Sequence, residues 1–235
     1  MGRVAGDDRL IVALDFTAAG PALAMARQLR GLVRVAKVGS VLFTACGPAV
    51  IAKLRSMGFD VMLDLKFHDI PSTVELSCEA ATRHRVALLT VHACGELAML
   101  KAAVRGVRSA ARRLRIRRPN VLGVTVLTSV EARATSSASR VMQLARRARA
   151  AGCDGVVASA HEAAALRRRF GRRLAIICPG IRLADGRDDQ CRVATPREAI
   201  IGGADWLVVG RPITAARDPR AAARRMLSEM EDATR

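Results

Sequence analysis

Two acids and a lysine follow one apolar stretch of this chain. The stretch 61–63 begins like a buried strand, and Asp64, Lys66 and Asp69 come directly after it. Because the side chains of a strand alternate between its two faces, we expect Asp64 and Lys66 to share a face. Burying both charges would be costly unless they pair with each other. Charges held in this way can mark a functional site, and a purely structural ion pair is the alternative.

The charged residues around this stretch alternate in sign. Lys37 ends an earlier apolar run, and Pro71 marks a break after Asp69, because proline cannot continue the hydrogen-bond ladder of a strand. We expect Lys37 and Asp69 to join Asp64 and Lys66 in one array. Each charge of that array then has neighbours of opposite sign, which stabilises the charged forms of these residues in a site of low dielectric constant.

Eight apolar runs predict the strands that position these residues. They are continuous runs, as expected where helices cover both faces of a parallel sheet. The predicted strands are 10–15, 33–39, 60–65, 87–92, 121–127, 155–159, 174–178 and 206–210. Eight strand–helix units in 235 residues match the number and size of a (β/α)8 barrel. We therefore expect a single-domain (β/α)8 TIM barrel over residues 1–235; a doubly wound open sheet is the alternative.

Apolar residues at helical spacing predict a helical stretch after each strand. Thr195 and Pro196 have the residue types of a helix N-cap and of a first helical position. The expected helices are 18–30, 41–57, 72–84, 96–110, 138–151, 161–170, a short helix after Thr195 and a last helical region from Pro212.

The active site of such a barrel lies where the strands end. Most residues expected at these ends are polar, which the packing of a core alone would not explain. The residues at the ends are Asp15, Lys37, Asp64, Lys66, His92, Thr128, Ser159, Gly180, Gly210 and Arg211. The loops after strands seven and eight commonly bind phosphate, because glycines let backbone N–H groups approach an anion and arginine adds a bidentate cation. The candidates for that role are Gly180, Arg182, Gln190, Gly210 and Arg211.

Composition narrows the possible partners. The net charge of +18 favours anionic ligands, and nucleic acid is the alternative partner that it suggests. The chain has no tyrosine and only 3% aromatic residues, so a base-stacking surface is poorly supplied and we expect no nucleic-acid binding. The start has no apolar leader and no uncharged stretch is long enough for a membrane span, which predicts a cytoplasmic protein without a membrane partner.

The other residue patterns mainly argue against particular kinds of site. Six scattered cysteines without a C-x-x-C pair are typical of reduced thiols, with Cys46, Cys78 and Cys178 expected in the core. The four histidines are not spaced as a metal site, and we expect His68 to be a hydrogen-bonding loop residue. No glycine-rich dinucleotide or P-loop fingerprint is present.

The stretch Asp64-Leu65-Lys66-Phe67-His68-Asp69-Ile70-Pro71 resembles the D-x-K-x-x-D-I-P signature of the orotidine 5'-phosphate decarboxylase family in its bacterial form. The resemblance extends along nearly the whole chain, through Ala13-Leu14-Asp15, Lys37-Val38-Gly39, Thr90-Val91-His92-Ala93, Gly123-Val124-Thr125, Leu127-Thr128-Ser129, Pro179-Gly180-Ile181-Arg182, Asp188-Asp189-Gln190 and the stretch 208–213. Together these motifs are highly specific. The D-x-K-x-x-D motif alone is not, since related sugar-phosphate decarboxylases share it.

The resemblance implies a barrel homodimer with shared active sites that converts orotidine 5'-monophosphate to UMP and carbon dioxide without metal or organic cofactor. It implies that Lys66 donates the proton to C6, that Asp64 lies beside the departing carboxylate, and that Lys37 and Asp15 contact the ribose. It further implies the following positions: Asp69 and Thr73 reach the ribose in the partner subunit's site, Thr128 meets the pyrimidine edge, and Arg182, Gln190, Gly210 and Arg211 hold the phosphate.

Two departures from the family pattern lie outside the catalytic positions. Ser72 stands where the family often has asparagine, and Gly95-Glu96 stands where it often has two glycines. They leave the expected activity in place and affect the detail of the loop after strand four. A related barrel enzyme acting on a keto-sugar phosphate, with a divalent ion, is the runner-up, and a basic nucleic-acid-binding protein is the third hypothesis.

Overall fold

A computed structural model describes residues 9–126, 137–183 and 194–233. Its eight strands close into a barrel in chain order, β1 to β8, with β8 beside β1. The closed barrel confirms the predicted (β/α)8 architecture and rules out the open doubly wound sheet. The strands are β1 Leu10–Ala13, β2 Val35–Gly39, β3 Asp60–Phe67, β4 Leu88–His92, β5 Asn120–Val124, β6 Gly155–Val157, β7 Ala175–Pro179 and β8 Trp206–Val209.

The helices follow the strands along the chain. They are α1 Ala19–Leu29, α2 Ser40–Cys46, α3 Ala49–Ser56, α4 Pro71–Arg83, α5 Leu97–Leu114, α6 Ser137–Ala151, α7 Ala160–Phe170, α8 Pro196–Ile201, α9 Arg211–Thr214 and α10 Pro219–Asp232. In the described ranges, none is both long and apolar enough to cross a membrane.

The described residues form two compact units. The first contains residues 9–61, Ser159–Ala164 and the described residues from Ile177 onward, and the second contains the described part of Met62–Ala158 together with Ala165–Ile176. The expectation of a single domain stays a prediction.

In the first unit, β1 pairs in parallel with β2 on one side and with β8 on the other. Every residue of β1, β2 and β8 is buried, as expected for strands covered on both faces. The buried residues include Lys37, the one charged residue in these three strands. A cation that is buried in an apolar strand needs a partner, and the site described below supplies one.

In the second unit, β3, β4, β5 and β6 pair in parallel in that order. Helices α4 and α5 pack closely beside each other, and ion pairs join Arg105 to Glu75 at 2.6 Å and Arg113 to Glu79 at 3.0 Å. Just before β5 and β6 begin, Arg118 pairs with Asp154, whose carboxylate also accepts the backbone N–H of Val121 at 2.9 Å. Ion pairs and hydrogen bonds outside the apolar core therefore also connect the elements of this unit.

The largest corrections concern element boundaries. The single helix expected over 41–57 is wrong, because Gly47, at φ 61°, and Pro48 separate α2 from α3. Strand β3 continues to Phe67, and α5 continues to Leu114. The cap predicted at Thr195 is confirmed as a reciprocal pair of hydrogen bonds with Glu198.

The cysteine predictions are mostly confirmed. Cys78 and Cys178 are buried as expected, whereas Cys46 is only half-buried. Cys46 is the last residue of α2 and lies two residues before the exposed Pro48, at the edge of the core.

Candidate active site

An ion pair lies at the carboxyl end of β3. The Nζ of Lys66 donates to Oδ2 of Asp64 at 2.9 Å. Asp64 is 8% exposed, and the Lys66 side chain is one-third exposed. The contact predicted between these two residues is therefore confirmed, with a carboxylate held inside the strand layer and an ammonium that reaches toward solvent.

The backbone that makes this contact is not a regular strand. Leu63 pairs with Leu89 and Phe67 pairs with Val91, so the three residues 64–66 of β3 lie opposite the single residue Thr90 of β4. Such an insertion is a bulge, and it breaks the simple alternation from which the shared face was predicted. The side chains of Asp64 and Lys66 nevertheless meet within this bulge.

Lys66 adopts a left-handed backbone conformation, with φ 51°. This conformation costs a residue with a β-carbon roughly 1–2 kcal/mol. The other two non-glycine residues with positive φ in the described part of the chain, Arg85 and Arg115, lie just beyond the ends of α4 and α5, where the conformation is common. Lys66 is the one of the three that lies within a strand.

Thr90 contacts both members of the ion pair. Its Oγ1 accepts the backbone N–H of Lys66 at 2.9 Å and donates to Oδ1 of Asp64 at 2.9 Å. Thr90 has no exposed surface. The carboxylate of Asp64 therefore receives a hydroxyl on one oxygen and an ammonium on the other.

Two histidines lie at the ends of β3 and β4. The ring centroids of His68 and His92 are 5.5 Å apart, and the rings are tilted by 53°. Burial lowers the pKa of His92, the nearby His68 and Lys66 lower it further, and Asp64 opposes them. The lowered pKa favours the neutral form of His92, which limits the positive charge beside Lys66.

A second ion pair lies in the first unit. The Nζ of Lys37 donates to Oδ1 of Asp15 at 2.9 Å. The Lys37 side chain is 11% exposed, whereas that of Asp15 is 52% exposed. A β-carbon on Gly39 would lie 2.9 Å from the Lys37 Nζ and 3.0 Å from the Asp15 Oδ1. Glycine at this position thus leaves room for the pair.

Asp69 was predicted to join the charged array, but among the described residues it makes no ion pair with Lys37 or Lys66. Its Oδ1 accepts the backbone N–H of Ile70 at 2.6 Å. Asp69 and Thr73 are exposed, and so are the apolar side chains of Ile70, at 64%, and Leu76, at 67%. The start of α4 therefore presents polar and apolar groups together on an open surface.

The predicted phosphate-binding residues are described in part. Gly180 follows β7 with φ 76°, and the half-buried Arg182 donates its backbone N–H to the carbonyl oxygen of Ala194 at 3.2 Å. Gly210 directly follows β8 and is the N-cap of α9, and Arg211 is exposed. Thr128 and Gln190 lie outside the described residues.

Comparison with known proteins decides the family. A sequence profile described as "Orotidine 5'-phosphate decarboxylase / HUMPS family" matches residues 8–226. The chain belongs to this family. Orotidine 5'-phosphate decarboxylase of Halorhodospira halophila is 47% identical over 235 residues, covering 97% of this chain and 98% of the relative. That of Nitrosomonas eutropha is 45% identical over 235 residues, covering 97% and 99%.

Solved structures of similar proteins match the fold of this family member. The crystal structure of orotidine 5'-phosphate decarboxylase from Lactobacillus acidophilus has a TM-score of 0.81 at 35% identity, covering 95% of this chain and 99% of that one. An uncharacterized conserved protein from Geobacillus kaustophilus has a TM-score of 0.80 at 34% identity, covering 94% and 99%.

Sequence reasoning about this family member missed Thr90 as part of the site. It lies in the middle of an apolar strand, 26 residues from Asp64, and only the register between β3 and β4 brings its hydroxyl to the carboxylate. A threonine in a strand otherwise has an ordinary explanation in its β-branched shape. The one sequence feature that could have indicated its role is that Thr90 is a polar residue within the otherwise apolar run 88–91.

Proposed function

We propose that this protein decarboxylates orotidine 5'-monophosphate to UMP and carbon dioxide, the last step of de novo pyrimidine nucleotide synthesis, as a carbon–carbon lyase in the cytoplasm. Membership of the decarboxylase family supports the proposal. The observation that carries the mechanism is the ion pair of Lys66 and Asp64, built on a strand backbone that is unfavourable for lysine. A residue kept in a strained conformation is often one that function requires.

Lys66 is the proton donor in this mechanism. The bond from C6 of the pyrimidine to the carboxylate carbon breaks, carbon dioxide leaves, and the electron pair stays on C6. The ammonium of Lys66 stabilises that charge and transfers a proton to C6, which yields UMP and a neutral amine. The amine then regains a proton from water before the next cycle.

Asp64 has two roles in this proposal. Its carboxylate holds the ammonium of Lys66 at 2.9 Å, which keeps the donor in place. A negative charge beside the substrate carboxylate also disfavours the bound reactant relative to the carbon dioxide that leaves. The hydroxyl of Thr90 occupies the second carboxylate oxygen, so the position of Asp64 is fixed from both sides.

The remaining residues bind the nucleotide. Lys37 and Asp15, which already pair with each other, contact the ribose. Thr128 meets the pyrimidine edge. The phosphate is bound by Arg182, Gln190, Gly210 and Arg211. Binding of a phosphate that is remote from the broken bond can stabilise a strained complex, which explains why a small substrate can be turned over without a cofactor.

The active form is a homodimer with shared sites. Asp69 and Thr73 reach the ribose bound by the partner subunit, and the exposed side chains of Ile70 and Leu76 supply apolar surface close to them. Burial of such side chains stabilises an interface by about 25 cal/mol for each Å² of apolar surface. The exposure of both polar and apolar side chains on one short segment supports this arrangement.

A direct assay of UMP formation tests the reaction. The purified protein is incubated with orotidine 5'-monophosphate, and UMP is separated and quantified by chromatography. We expect turnover by the wild type and none above background for Lys66→Ala. Lys101→Ala removes an exposed lysine of α5 and is the matched control, which should keep full activity. Turnover by folded Lys66→Ala, or no turnover by the wild type, would overturn the proposal.

A mixing experiment tests the shared sites. Lys66→Ala and Asp69→Ala proteins are each inactive, but their mixture should regain activity because a mixed dimer contains one site with both residues intact. In random exchange about half of the dimers are mixed, so about one quarter of all sites recover. Exchange is verified with differently tagged subunits. No recovery despite exchange contradicts site sharing.

A metal requirement distinguishes the alternative, an enzyme acting on a keto-sugar phosphate, from the proposed decarboxylase. Enzymes of that alternative class generally use a divalent ion, so they lose activity in excess chelator. We expect UMP formation to persist unchanged in excess EDTA. The nucleic-acid alternative predicts binding with a steep salt dependence and no more stabilisation by UMP than by free phosphate. We expect UMP to raise the melting temperature above that found with phosphate.

A further inference from the structure

We propose that Thr90 is a positioning residue for the decarboxylation, and that its hydroxyl holds the Lys66 backbone and the Asp64 carboxylate in one fixed arrangement. The inference rests on the function proposed above and adds a residue to its machinery. Thr90 does not touch the substrate in this view. It acts through the two residues that do.

The hydrogen bonds around Thr90 form a closed circuit. The backbone N–H of Lys66 donates to Thr90 Oγ1, and the hydroxyl donates to Oδ1 of Asp64. The other oxygen of Asp64 accepts from the Nζ of Lys66, which completes the circuit. The backbone and the side chain of Lys66 are therefore both tied to the same carboxylate, one of them through Thr90.

The bulge in β3 creates the need for this hydroxyl. Three residues of β3 face Thr90 alone, so β4 cannot offer each of them a backbone partner. The Lys66 N–H takes a side-chain acceptor instead. An amide of this kind would otherwise be left without a partner next to a fully buried residue, a costly situation.

The Thr90 hydroxyl can serve both neighbours at once. It has one proton to give and lone pairs to receive, so it can accept from an amide while it donates to a carboxylate. Valine has the same shape and provides neither function. Serine retains both but lacks the methyl group that packs in the strand.

The central test compares Thr90→Val with Thr90→Ser. Because the Thr90 hydroxyl donates to a charged carboxylate, we expect Thr90→Val to lower kcat by about 10- to 100-fold with little change in KM. Thr90→Ser should restore most of kcat. Thr82→Val is the matched control, since Thr82 is also fully buried and its hydroxyl donates to the Cys78 carbonyl oxygen in α4. It should lower stability and leave kcat unchanged.

Amide hydrogen exchange gives a readout that does not depend on turnover. In the wild type the Lys66 N–H should exchange slowly in NMR spectra, as in Thr90→Ser, and much faster in Thr90→Val. If the wild type does not decarboxylate the nucleotide, the proposed function fails, while the exchange measurement still decides whether Thr90 holds Lys66.

Three results would overturn the role of Thr90. They are a kcat of Thr90→Val within twofold of wild type, a folded Thr90→Ser as impaired as Thr90→Val, and a Lys66 amide in the wild type that exchanges as fast as an exposed one. If Thr90→Val is insoluble, the wild-type exchange rate and the activity of Thr90→Ser decide the question.

Discussion

A β-carbon on Gly106 would lie 2.3 Å from the backbone carbonyl oxygen of Glu75. Glycine at this point of α5 lets the backbone of α4 approach more closely than any other residue would allow. The pair of Arg105 with Glu75 ties the two helices together at the same level. Since α4 carries Thr73 and follows Asp69, the approach of α5 sets the position of both proposed partner-site residues.

Gly106→Ala should therefore destabilise the protein. The new methyl group meets backbone atoms, which cannot move aside like the end of a side chain, so we expect the free energy of unfolding to fall by about 1–3 kcal/mol. Gly20→Ala in α1 is the control, because a β-carbon there meets nothing within 4 Å and the helix should gain up to about 1 kcal/mol. Urea denaturation measures both. Equal stability of the two variants would contradict the close approach.

The backbone at Lys66 predicts an order of stability for two variants of this residue. Lys66→Gly and Lys66→Ala both remove the ammonium, so the difference between them reports on the backbone alone. Left-handed geometry costs alanine about 1–2 kcal/mol, and the greater freedom of unfolded glycine offsets part of this. We expect Lys66→Gly to be the more stable by about 1 kcal/mol in denaturant titration. Greater stability of Lys66→Ala would argue against the bulge.

His92 should make stability depend on pH. Because its pKa in the folded protein is lowered, chiefly by burial, the unfolded chain binds its proton first as the pH falls. The free energy of unfolding should decrease as the pH drops below about 6.5, the ordinary pKa of histidine. Relative to the wild type, His92→Asn should lose less stability between pH 7.5 and 5, and the difference between the two should be constant above pH 7.5. A parallel decline of both proteins would contradict the shift.

The cysteines should differ in their reactivity. Burial raises the pKa of the Cys78 and Cys153 thiols to about 12, so neither forms an appreciable thiolate at pH 8. Cys94 is exposed. Brief treatment of the native protein with iodoacetamide at pH 8, followed by peptide mass mapping, should therefore modify Cys94 and spare the other two. Unfolding in guanidinium chloride should remove the difference.

Much of the architecture could be predicted because strand and helix periods are local. The eight strands follow from eight apolar runs, and the cap at Thr195 follows from residue types that lie within three positions of each other. The division of the expected helix 41–57 was missed, since the apolar spacing continues across Gly47 and Pro48. Here the turn formed by glycine and proline interrupts the helix although the apolar spacing continues.

The site could be predicted only as far as it depends on neighbours in sequence. The contact between Asp64 and Lys66 was expected from alternation and is confirmed, but no periodic pattern reveals the bulge in which it lies. The role of Thr90 depends on the register between two strands, which is set by the packing of the whole sheet. Likewise, the pairing of Lys37 with Asp15 needed the alignment of β1 with β2.

The circuit of Lys66, Asp64 and Thr90 lies within a single strand–helix–strand segment, because β3, α4 and β4 are consecutive in the chain. A genetic exchange of that segment between two barrels would transfer the lysine, its counter-ion and their hydroxyl bridge in one piece. The loops on the other strands could then diverge to recognise new substrates. Inheritance of this kind would deliver the proposed proton donor already held in place by its supporting residues.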